Sequence, residues 1–397
     1  MVKSYLCLPV RWGLLTALFT TLYACVDAFR PTLDLNSNLV VVNGIITDQP
    51  GPQAINLRRS RSTNDSSITT LPIRGATVQV LVNGTTPVKL TETDPGRYDL
   101  PASFRGRVGD SYQLRFVTAE GVSYESTVET MPAVPPIERV YEQYNPAGPS
   151  LTANRLPTPV SDVFVDYRDP AGQANFYLWR WTLYEPQSFC ATCRQGRYQL
   201  TDTGNGLTGA CVPDPKLLLY EYYDYPCLGF CWDIYRSQLL NLFADRFTDE
   251  QPQTGRLVAQ IPIYQKAPAQ LDIEQLSLTT GAYRYYKLFT DQTQNTGTLA
   301  DTPPAPTAGN VRNIGDGNKS VVGYFSASSV AVNHYRLDRR NVPANIGRFG
   351  GLFYSQNGRD PTNEPPRTNP GVPGSGVPSA VCVPSANRTN QPPVGWR

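Results

Sequence analysis

Apolar and polar positions alternate with a period of two through most of residues 39–129. In this pattern one face of each extended segment lies in a core and the other is mostly polar, as shown by Val78, Val80 and Val82. Turn residues separate the segments: Asn83-Gly84 suits a type I′ hairpin turn, and Asp94-Pro95-Gly96 suits a type II turn. The pattern predicts an antiparallel β-sandwich over residues 38–131, of immunoglobulin- or transthyretin-like form.

A proline-rich connector, residues 132–136, ends this first domain. We expect a larger β-rich domain over residues 137–340, interrupted by a cysteine-bearing insert at residues 190–231. Residues 341–397 form a tail rich in Pro, Gly and Asn that predicts irregular structure. Further strands of the second domain are predicted at residues 163–167, 176–184, 257–264 and 321–326, with 176–184 paired to the strand before it.

One helix is predicted directly after Thr279-Thr280, where apolar residues recur at i, i+3, i+4 and i+7. These residues are Ala282, Tyr285, Tyr286 and Phe289. Residues 233–245 fit a helix or a strand equally well. The predicted fold class is therefore mainly β, with one or two short helices. The 36 prolines agree with this, because proline breaks helices and central strands.

The N-terminus has the features of a processed lipoprotein signal peptide. Lys3 and Arg11 form a basic region, and the apolar run 13–22 that follows is too short to span a bilayer. Leu22-Tyr23-Ala24-Cys25 resembles the lipobox of bacterial lipoproteins, in which the cysteine is acylated after cleavage before it. We expect a signal peptide at residues 1–24, a lipid on Cys25 and a tether over residues 25–37. The alternative is an ordinary secretory signal in which Cys25 is incidental.

Charge argues against a nucleic-acid partner. Removal of residues 1–24 takes away two of the 35 basic residues and no acidic residue, which leaves 33 of each and a net charge of zero. Binding to a phosphate backbone needs a clustered positive excess. We therefore expect a membrane as a partner, through the lipid, and no nucleic acid.

Six cysteines remain after Cys7 is removed with the signal peptide and Cys25 is assigned to the lipid. They are Cys190, Cys193, Cys211, Cys227, Cys231 and Cys382. An even number in an exported chain predicts disulfides, with 15 possible connectivities. The spacings Cys190-x2-Cys193 and Cys227-x3-Cys231 also allow a zinc site as the alternative, although no histidine lies nearby. We expect disulfides, and no metal or cofactor.

Catalytic patterns are scarce in this chain. The single histidine, His334, lies in a predicted strand, and the sequence contains no G-x-S-x-G, H-E-x-x-H or nucleotide-binding loop. We interpret His334 as a half-exposed strand residue and assign no catalytic residue. A pair of acids distant in the sequence can still meet in the fold, which leaves carboxylate-based hydrolysis open.

Tyrosine is abundant, with 23 residues, and one cluster lies inside the insert. A tyrosine ring combines an apolar face with a hydroxyl group, which suits binding surfaces. The tyrosines of this cluster are therefore candidate binding residues, against the alternative of ordinary packing. They are Tyr220, Tyr222, Tyr223 and Tyr225.

Several motifs resemble the Bacteroidota lipoproteins grouped as domain of unknown function 4249. They include residues 39–48, 75–78, 95–98, 128–137, 231–233, 292–297, 303–306, 309–310 and 323–328. This resemblance implies a lipid-anchored protein that works beside a TonB-dependent transporter at the outer membrane. Members often end with two close cysteines and a terminal segment like Pro393–Trp396. Here Cys382 has no second thiol beside it, so its partner is expected elsewhere in the body.

Three functions follow as hypotheses. The first is a lipid-anchored accessory protein that binds a ligand or partner beside the transporter. The second is a surface hydrolase of carbohydrate or peptide, which two close carboxylates in a cleft would favour. The third is a structural envelope or adhesion module, which the lack of any cavity would favour.

Overall fold

The computed structural model describes residues 38–62, 68–150, 157–172, 174–245, 250–293, 308–315, 321–344, 346, 351–367 and 376–396. The expected signal peptide, Cys25 and the tether lie outside these residues. The described chain is mainly β, as predicted, with two short helices. None of its helices has the length and apolarity that crossing a membrane requires.

The first ten strands and two later ones form two six-stranded sheets with a common core. One sheet has the order β23-β1-β2-β7-β6, with β3 on β2, and the other has the order β22-β9-β8-β4-β5, with β10 on β8. The strands are β1 (Val40–Thr47), β2 (Ala54–Ser62), β3 (Ile68–Pro72), β4 (Thr77–Val82), β5 (Thr86–Lys89), β6 (Thr91–Asp94), β7 (Arg97–Asp99), β8 (Ser111–Val117), β9 (Ser123–Ser126), β10 (Glu129–Thr130), β22 (Val311–Asn313) and β23 (Val321–Ser328).

Local sequence features explain these strands. Val78, Val80, Leu114 and Phe116 alternate with more exposed residues and are all buried in the common core, because successive side chains of a strand point to opposite faces. Asn83 and Gly84 both have positive φ, at 51° and 73°, as the predicted type I′ turn requires. Gly96 has a φ of 74°, as expected for the left-handed position of a type II turn.

One expectation about the domain division is wrong. Residues 321–326 were predicted to belong to the second domain, but β23 pairs in parallel with β1, from Val40–Val321 to Thr47–Ser328. Phe325 and Ala327 lie in the first core as a result. The physical reason is that β1 has two partners, since β2 covers its other edge, and a parallel partner must come from a distant part of the chain.

The second body contains a three-stranded sheet, β11-β12-β20, and a six-stranded sheet, β24-β21-β13-β18-β26, with β19 on β13. The prediction that residues 176–184 pair with the preceding strand is wrong, because β13 pairs with β21, β18 and β19 instead. The strands are β11 (Ile137–Gly148), β12 (Thr158–Arg168), β13 (Phe176–Pro186), β18 (Trp232–Arg236), β19 (Asn241–Ala244), β20 (Pro252–Pro262), β21 (Ala269–Ser277), β24 (Val330–Leu337) and β26 (Arg388–Thr389).

The insert and the tail pack together beside this body. In the insert, β14 pairs with β17, which also pairs with β25 from the tail, and β15 pairs with β16. The tail thus contains a helix and two short strands where irregular structure was predicted. These elements are β14 (Phe189–Arg194), β15 (Gly196–Asp202), β16 (Leu207–Pro213), β17 (Tyr222–Leu228), β25 (Ala380–Val381) and a short helix at Gly351–Asn357.

The predicted helix is confirmed as α1 (Thr280–Thr293), and the tail helix is α2 (Gly351–Asn357). Thr279 caps α1, because its Oγ1 accepts a hydrogen bond of 3.2 Å from the backbone N–H of Ala282. Ala282 is buried, whereas Phe289 is 41% exposed. The apolar stripe of α1 is therefore only partly covered.

A fully buried ion pair joins β13 to the segment after β24. Arg339 Nη1 and Nη2 donate to the two carboxylate oxygens of Glu185 at 2.6 and 2.7 Å, and Nη1 also donates to two backbone carbonyl oxygens. Neither side chain of the pair is exposed to solvent. Such a pair adds little to the stability of the fold compared with an apolar contact of similar size. Removing one partner is nevertheless strongly destabilising, because it leaves a buried charge uncompensated.

We expect Glu185→Ala to lower the free energy of unfolding by about 3–5 kcal/mol, since it strands the Arg339 guanidinium. Glu274→Ala is the matched control, because its pair with Arg180 on the same sheet is partly exposed, with side chains 30% and 42% accessible. That variant should lose at most about 1 kcal/mol. Denaturant unfolding of both variants measures the difference, and equal losses would contradict this account.

Candidate functional site

A cleft with a volume of about 680 Å³ lies between β13, β19, β20 and α1. This lies within the range of about 300–1,000 Å³ that is typical of ligand pockets. Leu239, on its wall, is 71% exposed, although it is a large apolar residue. The lining includes Pro149, Ser150, Trp179, Trp181, Ser237, Gln238, Leu239, Leu240, Asn241, Leu242, Leu257, Gln260, Lys287 and Thr290.

A second, smaller cavity of about 280 Å³ shares Leu240 with this cleft. It is lined by Tyr285, Tyr286 and Phe289 of α1 and by residues of β1 and β23. The two cavities therefore adjoin each other at Leu240, and both are lined in part by α1. We call the two cavities together the α1 groove.

The lining of the larger cavity includes a buried indole with an unused hydrogen-bond donor. Trp179 is 1% exposed, and its Nε1 has no hydrogen-bond partner in the described part of the chain. The Arg256 guanidinium lies over this ring at 5.1 Å from the centroid, and its Nε likewise lacks a partner there. Burial lowers the pKa of Arg256. A ligand with an acceptor atom could use such donors, which are costly to leave unpaired.

The sequence analysis missed this groove. Residues 233–245 were left undecided between helix and strand, and this segment contributes β18, β19 and the wall of the larger cavity. The sequence did contain a signal. The run Leu239-Leu240-Asn241-Leu242 has three leucines, but they follow neither the helical period nor the strand period expected of a buried face. Trp179 and Trp181 also share one face of β13, since they are two residues apart.

The structure does not assemble the four candidate tyrosines into one surface. Tyr225 is fully buried, and its hydroxyl donates to Glu364 at 2.7 Å, so it is a core residue and not a binding residue. Tyr222 and Tyr223 are half-buried. Arginine side chains cover their rings, with Arg359 at 3.8 Å and Arg197 at 5.5 Å from the respective centroids. Tyr220 alone is well exposed, at 70%.

Two buried carboxylates hold the tail against the insert. Asp224 accepts hydrogen bonds from Arg359 at 2.6 and 2.9 Å and from Thr192 at 2.6 Å. Glu364 is contacted by Arg197, by Arg367 at 2.8 Å and by Tyr225. Burial raises the pKa of each carboxyl group, but these hydrogen bonds outweigh it, so both pKa values lie below the ordinary range. The contacts around the tyrosine cluster therefore mainly hold the tail against the insert.

The prediction of disulfides is confirmed. The pairs are Cys190–Cys227, Cys193–Cys211 and Cys231–Cys382. Two of them close the insert, and the third joins the insert to the tail, which gives Cys382 its partner in the body. Disulfides of this kind stabilise a fold mainly by restricting the unfolded chain.

His334 lies on β24, as predicted, with its side chain 36% accessible. Its Nδ1 is 2.7 Å from Asp272 Oδ1 across the β21–β24 pair. Cross-strand contacts of this kind are common in sheets. This environment agrees with the interpretation of His334 as a half-exposed strand residue.

Two carboxyl groups do meet in the second body, at the end of β12 and the end of β19. Asp169 and Asp245 are each 1% exposed and lie close enough for their carboxyl groups to interact. Asp169 Oδ1 also accepts a hydrogen bond of 2.7 Å from the Tyr177 hydroxyl. Burial, followed by the contact with Asp245, raises the pKa of Asp169 despite the lowering effect of Tyr177. Asp169 therefore holds its proton more tightly in the folded protein than an exposed carboxyl group does.

The family model for domain of unknown function 4249 matches residues 26–334. This match covers well over half of the chain, and the chain therefore belongs to that family. The matched range includes β13, β19, β20 and α1, and so the main walls of the α1 groove. A search of curated proteins gives no match.

We expect Asp169→Asn to weaken the pH dependence of stability. Because the folded state raises the pKa of Asp169, its proton stabilises the fold fully below the unfolded value of about 4. That stability is lost as the pH rises through the folded pKa. An amide cannot ionise, so the variant should lose less unfolding free energy as the pH rises from about 4.

Tyr177→Phe provides the opposite change at the same site. It removes the donor that lowers the pKa of Asp169, so stability should fall further with rising pH than in the parent protein. Denaturant unfolding at several pH values measures both slopes. Parallel curves for the parent and both variants would contradict the raised pKa of Asp169.

Proposed function

We propose that this protein is a lipid-anchored accessory protein of the outer membrane that captures a small ligand beside a TonB-dependent transporter. The lipobox-like Leu22–Cys25 supports the anchor, and the family resemblance supports the transporter. The observation that carries the binding role is the α1 groove. Its larger cavity combines a suitable volume, apolar walls and an unused buried donor on Trp179.

The groove also suggests what kind of ligand fits. Trp181, Leu239 and Leu240 offer apolar surface, and Gln238, Asn241 and Gln260 provide amide groups at the lining. Such a lining suits a ligand with an apolar or aromatic body and a few hydrogen-bond acceptors. An acceptor that reaches this lining would satisfy Trp179 Nε1, which has no partner among the described residues.

The hydrolase alternative depends on two close carboxylates that a substrate can reach. Asp169 and Asp245 are close, but each is only 1% exposed, and the larger cavity is lined by neither. A general acid or base must come within hydrogen-bond reach of the substrate. The groove therefore supports binding better than hydrolysis, and a ligand-sized cavity also counts against a purely structural module.

We expect Cys25→Ala to abolish both palmitate labelling and sedimentation with the cell envelope, since it removes the sulfur that carries the acyl chains. Cys7→Ala is the matched control, because Cys7 lies in the proposed signal peptide, residues 1–24.

Purification of the parent protein through a C-terminal tag in mild detergent should recover a TonB-dependent transporter. Unchanged labelling of Cys25→Ala would refute the anchor, and the absence of any membrane partner would refute the transporter association.

We expect Leu239→Asp to weaken binding of the anionic apolar probe anilinonaphthalene sulfonate at least tenfold, because it places a negative charge on the apolar wall of the groove. Leu219→Asp is the control, since Leu219 is exposed to the same degree, 70% against 71%, but lies in the insert. Probe fluorescence titrations give both affinities. Equal effects of the two substitutions would show that the probe does not use the groove.

A further inference from the structure

Two of the three disulfides lie side by side. The Sγ atoms of Cys190, Cys231 and Cys382 are all within 4.8 Å of one another, although Cys190 is bonded to Cys227 and Cys231 to Cys382. The Cys193–Cys211 pair is not part of this group. One sulfur of the outer pair, Cys190, is therefore adjacent to both sulfurs of the inner pair.

The two pairs differ in accessibility. Cys231 and Cys382 are each 3% exposed, whereas Cys190 and Cys227 are half-buried. Exchange between thiols and disulfides proceeds by attack of a thiolate on a disulfide sulfur, so it depends on access. The outer pair is therefore the more open to a small thiol in solution, and the inner pair is the more shielded from direct attack.

We propose that Cys190–Cys227 and Cys231–Cys382 form a thiol–disulfide relay in which Cys190 carries the exchange inward. The thiolate of a small monothiol attacks Cys227 Sγ, forms a mixed disulfide with it and releases the Cys190 thiolate. Cys190 then attacks Cys231 or Cys382, forms a new disulfide with it and releases the other sulfur as a thiolate. One thiolate, that of the monothiol, is consumed, and one cysteine thiolate is formed on the protein. Two disulfide bonds are present before and after, so no oxidant or reductant is consumed.

The relay acts on the attachment of the tail. In either product the Cys231–Cys382 bond is gone. Apart from that bond, the end of the tail is held to the body by short pairings: β25 pairs with β17 over two residues, and β26 pairs with β18 over two residues. The Trp396 ring packs edge-on against Trp232 with 6.0 Å between centroids. Attack on Cys231 releases Cys382 and leaves the tail without its covalent link, whereas attack on Cys382 transfers that link from Cys231 to Cys190.

Cys227→Ser tests the relay directly, because it leaves Cys190 as a free thiol beside the intact inner disulfide. After equilibration at mildly alkaline pH, acid quenching and alkylation under denaturing conditions, peptide mass spectrometry locates the free thiol. We expect label on Cys231 or Cys382 as well as on Cys190, together with a Cys190–Cys231 or Cys190–Cys382 disulfide. Label on Cys190 alone, with only Cys231–Cys382 detected, overturns the proposal.

Cys211→Ser is the matched control. It frees Cys193, whose sulfur lies outside the three-sulfur group, so label should remain on Cys193. Scrambling in this variant to the same extent would mean that exchange reflects loss of folding, which also overturns the proposal.

The parent protein provides a second measurement that needs no substitution. Treatment with substoichiometric 2-mercaptoethanol should give an adduct on Cys227 together with a disulfide from Cys190 to Cys231 or Cys382. The exchanged fraction of the adduct should not depend on protein concentration, since the second step is intramolecular. An adduct on Cys227 that leaves Cys190 as a stable thiol overturns the relay.

Discussion

The parallel pairing of β1 with β23 is the constraint on which the rest of this structure depends. It joins the first described strand to β23, which begins only at Val321, over eight residue pairs, so the long segment between them must fold back to the same place. Closing so long a loop costs entropy, but that cost grows only slowly with loop length. Apolar residues of both strands, among them Val42 and Phe325, are buried in one core, and this burial offsets the entropic cost of closure.

A single carboxyl group reinforces this closure. Glu129 on β10 is 4% exposed and accepts hydrogen bonds from Thr279 at 2.5 Å, Tyr324 at 2.9 Å and Asn310 at 3.2 Å. Its partners belong to the cap of α1, to β23 and to the segment before β22. Burial raises the pKa of Glu129. Since α1 forms one wall of the groove, the geometry of the candidate site depends on the same junction that joins the two bodies.

Local features of the fold were predictable from the sequence, and distant pairings were not. The alternation around Val80 and Leu114, the positive φ of Asn83 and the cap at Thr279 follow from chemistry within a few residues. A valine-rich strand such as β1, in contrast, does not encode its partner. Periodicity alone shows which face is buried, not which strand lies beside it, and this explains the errors at β23 and β13.

The candidate site was even less predictable from the sequence than the strand pairings. Tyrosine composition suggested a binding surface, but only the fold reveals that Tyr225 is buried on Glu364. The same applies to Arg359, which comes from far along the chain to cover Tyr222. The cysteine count predicted disulfides but could not choose among the connectivities. The larger cavity of the α1 groove is assembled mainly from three strands and a helix, and none of these carries a recognisable motif.

The unused donor of Trp179, which lines the larger cavity, relates the free-energy cost of a buried polar group to the proposed function. A buried N–H group without an acceptor costs about 1–3 kcal/mol, and native proteins rarely leave such groups unpaired. Trp179 Nε1 and Arg256 Nε both lack a partner among the described residues, the guanidinium lies over the indole ring, and Trp179 lines the larger cavity. Under the proposed binding function, a ligand that brings an acceptor to Trp179 Nε1 would remove this cost. The cost of the empty site would then become part of the affinity for that ligand.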